Sequence, residues 1–262
     1  YLRARERRGF VSFISLASLV GIALGVAALI IILSVMNGFE AELRGRLLSM
    51  TAHASLTNTR VGLSDWGEFQ VKIAAGPGVV GVTPFVQLEG MLGSGVNLTP
   101  VTVRGVLPDE EIAVSNPDRL MQVGTLKSLE PDSHRIILGR IVALNLGVRF
   151  GDQVNLLVPQ MEGERLRPKL RSFIVSGIFE AGIQDHDANL AFAHLAEISQ
   201  LKGLSGRAEG LAIRVRNPLA VGQLEGYIEM VANEGLSYSD WTLENKNYFR
   251  AIRIEKMMMT LL

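Results

Sequence analysis

FISLASLVGIALGVAALIIILSVM, Phe13 to Met36, is the stretch on which the fold turns. These 24 residues are almost unbroken in apolar character, and no charge occurs anywhere from Gly9 to Phe39. As a helix they extend roughly 36 Å, enough to cross a hydrocarbon core of about 30 Å with some tilt. A core helix of a soluble domain is seldom apolar on all sides for this length, so the segment is read as a membrane span. A secretory signal peptide is the competing reading, because Arg3, Arg5, Arg7 and Arg8 precede the run and Ala52-His53-Ala54 imitates a cleavage site. Signal cores are shorter, and a charged amphipathic segment separates this one from the triplet. Four arginines against Glu6 place the amino-terminal side in the cytoplasm, and everything after about Glu40 outside.

Outward from the span, two patterns stand on the same helix. Ala17, Gly21, Gly25 and Ala28 fall on one face, a small-residue stripe of the kind that lets a second membrane helix approach closely. Met36, Phe39, Leu43, Leu47 and Met50 recur at spacings of three and four among charges, which predicts an amphipathic stalk. That stripe packs against the folded domain or a neighbouring helix, or lines a route for a lipid chain leaving the bilayer. At the far end, Trp241 to Lys256 reads as an interfacial helix. The uncharged Met257 to Leu262 reads as the start of a second span, within which the sequence is expected to stop.

The roughly two hundred residues between are too many for a connection and predict a folded α+β domain. Strands are expected at His53–Asn58, Val79–Leu88, Val101–Val106, up to Val158, Arg171–Phe179 and Gly210–Val215. Helices are expected at Leu63–Ala75, Gly139–Leu146, around Leu195–Leu201 and at Leu219–Val231. The stretch punctuated by Pro108, Pro117 and Pro131 reads as irregular. The organisation predicted is residues 1–9 cytoplasmic, 10–50 span and stalk, 51–106 with 170–242 one external subdomain, 107–169 a second inserted in it, and 243–262 the return to the membrane. Pro159 to Pro168 (PQMEGERLRP) reads as a hairpin tip offering Met161, Arg165 and Arg167 between Pro159 and Pro168 to a partner, or as a plain solvated loop.

Several chemistries are excluded. The chain of 262 residues has 26 basic and 26 acidic side chains, so it lacks the basic footprint nucleic acid requires. With no cysteine there is no disulfide, thiol nucleophile or cysteine-ligated zinc. Gly76-Pro77-Gly78-Val79-Val80-Gly81 matches G-x-G-x-x-G, but a helix precedes it and a strand follows, the reverse of a nucleotide fingerprint. No Walker sequence occurs, so any ATP and magnesium belong to another subunit. Asp185-His186-Asp187 with His194 matches no zinc spacing, and no catalytic constellation appears; neither a metal nor an enzymatic activity is expected.

Phe10 to Ser15, Gly21 to Ala27 and Ser34-Val35-Met36-Asn37-Gly38-Phe39-Glu40 together resemble the first span of lipoprotein-releasing ABC permeases of the LolC and LolE type, relatives of MacB. Val103 to Val106, Leu144 to Val154, Phe249 to Ala251 and Glu255 to Met258 extend the resemblance over essentially the whole chain. It implies a four-span inner-membrane permease of Gram-negative bacteria with a large periplasmic domain, a LolD-like ATPase partner and a second permease subunit. Such a complex extrudes lipoproteins from the outer leaflet to the periplasmic carrier LolA. By resemblance, the Met36, Phe39, Leu43 and Leu47 stripe would border the acyl cavity, and Pro159 to Pro168 would sit where a carrier-binding hook belongs. The alternatives are a mechanotransmitting MacB-like permease serving an efflux adaptor, and a membrane-tethered interaction module without transport.

Overall fold

A computed structural model describes residues 2–50, 52–58, 61–115, 117–162, 165–218, 221–231 and 235–241; the expected return to the membrane at 242–262 lies outside them. Two compact units result, divided between Gly45 and Arg46. The first helix, α1, runs unbroken over Leu2–Met50, through the uncharged segment Phe13–Met36, whose side chains are exposed to the surroundings.

The second unit is built on ten strands. In chain order they are β1 (Ala54–Thr57), α2 (Trp66–Ala74), β2 (Val79–Ser94), β3 (Asn97–Val106), α3 (Pro108–Val114), β4 (Met121–Gly124), β5 (Arg135–Gly139), α4 (Arg140–Leu146), β6 (Gln153–Glu162) and β7 (Arg165–Phe179). Then follow α5 (Gln184–Asn189), β8 (Leu190–His194), α6 (Leu195–Lys202), β9 (Gly210–Val215), α7 (Gln223–Val231) and β10 (Ser237–Asp240). The sheet order is β10-β1-β9-β2-β3-β8-β5-β7-β4, with β6 pairing both β2 and β7. The pairings β2-β3-β8-β5-β7-β6-β2 therefore close into a six-stranded ring, and β9, β1 and β10 extend from β2 as a wing.

Closure follows from the residues that alternate inward. Val86, Leu88, Val103, Ile136, Leu138, Val154, Leu156, Phe173 and Val175 are buried in one cluster, completed by Val142 and Leu146 of α4 and Leu195 and Ile198 of α6. With period two, each strand sends these inward and leaves its alternate residues outside. Gly105 lies where α6 crosses β3, and a Cβ there would stand 2.8 Å from Cβ of Ile198. A second apolar cluster, Leu56, Ile73, Val82, Leu211, Ile213, Leu224 and Ile228, binds α2 and α7 to one face of the wing.

Several expectations change. The strands of 107–169 make no sheet of their own: β5 pairs with β7 and β8, and β6 pairs with β2 and β7. The proline-punctuated stretch is ordered, with Pro108 at the start of α3, a 3-10 turn at Pro117–Leu120 and β4 behind it. Proline is well suited to a helix start, where its missing N–H has no partner to lose. Pro159 to Pro168 is the outer end of a β6–β7 ribbon, with Pro159 facing Pro168 and Glu162 facing Arg165. Trp241, expected to open an interfacial helix, is helical but 5% exposed, its ring in the wing's core, and the rest of that helix lies outside the described residues. The turn at Gly76–Gly78 joins α2 to β2, as the reversed glycine motif implied.

Asp187 fastens α5: its carboxylate accepts from the N–H of Ala181 at 2.6 Å and of Gly182 at 3.0 Å. Beside it, burial lowers the pKa of His186 below the usual 6.5, against the opposing pull of Asp187 and Asp185. The unfolded chain therefore takes up a proton near pH 6.5 that the folded domain refuses, so this contribution to stability is full above that pH and lost as pH falls. In thermal melts, His186→Gln is expected to lose less stability than the parent protein between neutral pH and the acidic side of 6.5. Parallel pH profiles would refute the assignment. Gly105→Ala is expected to destabilise the domain by about 1–3 kcal/mol in denaturant titration, because Ile198 and α6 must move.

Candidate functional site

Three places are candidates, each taken by itself: the stripe on α1, the β1–β10 end of the domain, and the β6–β7 ribbon. On α1, Ala17, Gly21, Gly25 and Ala28 are exposed, and a Cβ at Gly21 or Gly25 would meet nothing within 4 Å. Met36 is 38% exposed. Phe39, Leu43, Leu47 and Met50 follow within the same helix, their side chains outside the described residues.

Among the described residues, the first and last strands of the domain are neighbours. β1 and β10 run antiparallel, with Ala54 opposite Asp240 and Thr57 opposite Ser237. Just outside, the N–H of Trp241 donates to the carbonyl of His53 at 3.1 Å, and the N–H of His53 donates to the carbonyl of Ile213 at 2.9 Å. The buried indole Nε1–H of Trp241 donates to the carbonyl of Pro218 at 2.8 Å, and the His53 ring lies 3.0 Å from the Val215 carbonyl. His53 and Trp241 are thus clipped together by a backbone bond, with both rings buried. Sequence reading missed this use of Trp241 because tryptophan ahead of charges is also an interfacial signal.

Beside the clip opens a cavity of about 320 Å³, lined by Ser55, Gln87, Thr102, Arg104, His186 and Trp241 among others. The Arg104 guanidinium lies 4.6 Å from the centre of the Phe85 ring, and its Nε stands 3.8 Å from Oε1 of buried Glu111. Ser115 Oγ donates to that same carboxylate oxygen. The pair holds α3 against the sheet and fixes the guanidinium plane. Nothing in the sequence pattern set Arg104 apart as more than one exposed position of an alternating strand.

Among the described residues no group of three or more His, Asp or Glu is placed to hold a metal. Asp187 is engaged by two N–H groups, and His194 caps α6 by accepting from the N–H of Ala196 at 3.3 Å. Burial lowers the His194 pKa despite Glu197 and Asp132, which keeps the ring neutral and able to accept.

The ribbon leaves the ring where β6 parts from β2 after the Met91–Leu157 pair. Gly90 allows this, since a Cβ there would lie 2.7 Å from the carbonyl oxygen of Leu157. Five pairs then project, Val158–Lys169 to Glu162–Arg165, about 15 Å of two-stranded ribbon. Facing prolines lack both N–H groups, so Pro159 and Pro168 must sit at a pair that exchanges no ladder bonds, and the missing donors point to the two outer edges. A further strand is discouraged there. Pro159 and Pro168 are exposed; Met161, Arg165 and Arg167 belong to the ribbon by register, their side chains outside the described residues.

The family model described as MacB-like periplasmic core domain matches residues 15–231. Over the whole chain the sequence is 36% identical to "Lipoprotein-releasing system transmembrane protein LolC" of Xylella fastidiosa (strain Temecula1), covering 63% of that protein. It is 34% identical over 99% of the chain to the LolC protein of Neisseria meningitidis serogroup B (strain MC58), again covering 63% of it. The chain thus spans less than two thirds of these relatives' length. Among solved structures, the extracellular domain of the ABC-type transporter YknZ from Gram-positive bacteria aligns with a TM-score of 0.46 at 12% identity, covering 71% of this chain and 98% of that one. An apolar helix leading into a domain matched over most of its length fixes the assignment: the chain belongs to the MacB-like periplasmic core domain family.

Proposed function

We propose that this chain is part of a permease subunit of an ATP-driven inner-membrane complex that extracts lipoproteins from the outer leaflet and hands them to a periplasmic carrier. The observation that carries this reading is the alignment of the complete span-plus-domain unit, at 34–36% identity, with proteins named for lipoprotein release. In it the chain is non-catalytic. ATP and magnesium are held by a LolD-like ATPase, and a second permease subunit, identical or homologous, completes the complex. The domain is an insertion between two membrane helices, and the β1–β10 pairing supports this by putting its two connections side by side. Ala17, Gly21, Gly25 and Ala28 form the face where a second span packs closely. Met36, Phe39, Leu43, Leu47 and Met50 form the apolar wall along which acyl chains leave the bilayer. Hydrocarbon needs only apolar contact, at about 25 cal/mol per Å² buried, so this wall needs no polar motif.

The ribbon is the contact for the carrier, LolA. Pro159, Met161, Arg165, Arg167 and Pro168 supply its faces, apolar and cationic positions alternating along β7. A mechanotransmitting permease serving an efflux adaptor is the second reading, favoured by the clip at His53 and Trp241, which would pass helix motion into the domain. Pull-down on the full-length protein separates the two, recovering either the carrier or an adaptor. A tethered module without transport would co-purify with no ATPase.

Phe39→Glu or Leu43→Glu is expected to slow lipoprotein release from proteoliposomes at least tenfold, since a buried charge in an apolar site costs more than about 1.4 kcal/mol. ATPase assembly should be retained, and unchanged release would count against the wall. Arg167→Glu is expected to weaken carrier capture without altering ATP hydrolysis. Capture at parental strength would remove the ribbon from the interface.

A further inference from the structure

Resting on the release reading above, we propose that the outer face of the ring at the β2–β6 seam, continued up the ribbon, is a strip that holds an acyl chain of the lipoprotein in transit. One rung crosses four strands through backbone pairing: Pro100 of β3 opposite Met91 of β2, Met91 opposite Leu157 of β6, and Leu157 opposite Leu170 of β7. All four are apolar. Pro100 is exposed, Met91 is 38% exposed and Leu170 is 65% exposed, on the side of the strands turned away from the packed interior. Two residues further along, on the same face by the period of the strands, stand exposed Pro159 and Pro168. Helices α4 and α6 pack the inner side of these strands, and among the described residues Met91 and Leu170 stay exposed on the outer side.

The size of the strip decides its occupant. Three inter-strand spacings give about 14 Å across, and one two-residue step adds about 7 Å, an area on the order of 100 Å². A stable protein partner or a second copy of this chain covers about 800 Å² per side. An alkyl chain needs no more than a narrow groove or ledge, and asks for no hydrogen bond. The rung offers none, since its four side chains carry no donor or acceptor beyond a thioether. Position agrees as well. Phe85 and Gln87, which line the cavity beside the clip, share an outer face of β2 with Met91, which lies about 20 Å beyond Phe85 and about 13 Å beyond Gln87 along the strand. The strip therefore lies between the end of the domain where the chain enters and the ribbon on which the carrier would dock.

The test uses the full-length protein with its ATPase in nanodiscs and a synthetic triacylated peptide carrying a diazirine in its acyl chains. After addition of ATP and illumination, label is expected on the segments containing Met91 and Leu170. Met91→Glu and Leu170→Glu, both at exposed positions, should reduce that labelling about tenfold while carrier capture and ATP hydrolysis stay at parental levels. Labelling confined to α1, or undiminished by both substitutions, would overturn the proposal. Equal labelling by a diazirine phospholipid of the nanodisc would also overturn it, because the strip would then be a bilayer contact. If release proceeds while the strip stays unlabelled, this inference fails alone; if no release occurs at all, the transport reading has failed first.

Discussion

The pairing of β1 with β10 governs the rest of the domain. Because Ala54 lies opposite Asp240 and the N–H of Trp241 reaches the carbonyl of His53, the first and last described strands of the domain lie side by side. Such an arrangement lets a domain be inserted into a membrane protein without forcing its flanking segments apart. It also ties β10 into the sheet, because β9 pairs antiparallel with β1 on its far side. A hydrogen-bonded strand pair loaded along its length resists sliding collectively, since several bonds must break at once. The buried rings of His53 and Trp241 extend that resistance beyond the last ladder bond.

The wing is coupled in turn to the ring by a single long strand. β2 contributes its first half to the wing, pairing with β9, and its second half to the ring, pairing with β3 and β6. Sixteen residues in one strand make the two packed clusters parts of one rigid sheet. Lys202 fastens the crossing point: its ammonium donates to the carbonyl of Gln87 and to Glu209, while the other Glu209 oxygen accepts from the N–H of Gln87. These bonds hold the end of α6 against the middle of β2.

Legibility in the sequence followed the range of the forces involved. The span was plain, because an uncharged run of 24 residues has one low-energy environment. Helices α2, α4 and α6 and strands β1, β2, β3, β7 and β9 showed their periods in local sequence. What escaped was set by partners far away in the chain. β5 (RIILG) and β8 (LAFAH) are short and buried on both faces, so they lack alternation and read as neither helix nor strand. β10 has only four residues, with polar serines at two of them, and becomes a strand because β1 offers it a ladder. The closure of β6 onto β2 rests on three residue pairs, and without it the expected inserted subdomain was a reasonable division.

The site residues divide along the same line. The stripe on α1 and the small-residue face could be placed by helical period alone. The ribbon could be placed only as a punctuated loop, although its alternation was present: Leu157, Pro159 and Met161 on one arm and Leu166, Pro168 and Leu170 on the other are all apolar, with polar or charged residues between most of them. Prolines at the second and fifth of those six positions argued for a turn, because proline is rare in paired strands. Facing prolines reverse that argument. Each removes a donor that the ladder did not use, so the pair is compatible with a projecting ribbon and incompatible with a ribbon that recruits a third strand. The residues that looked like punctuation are the ones that keep this element two strands wide.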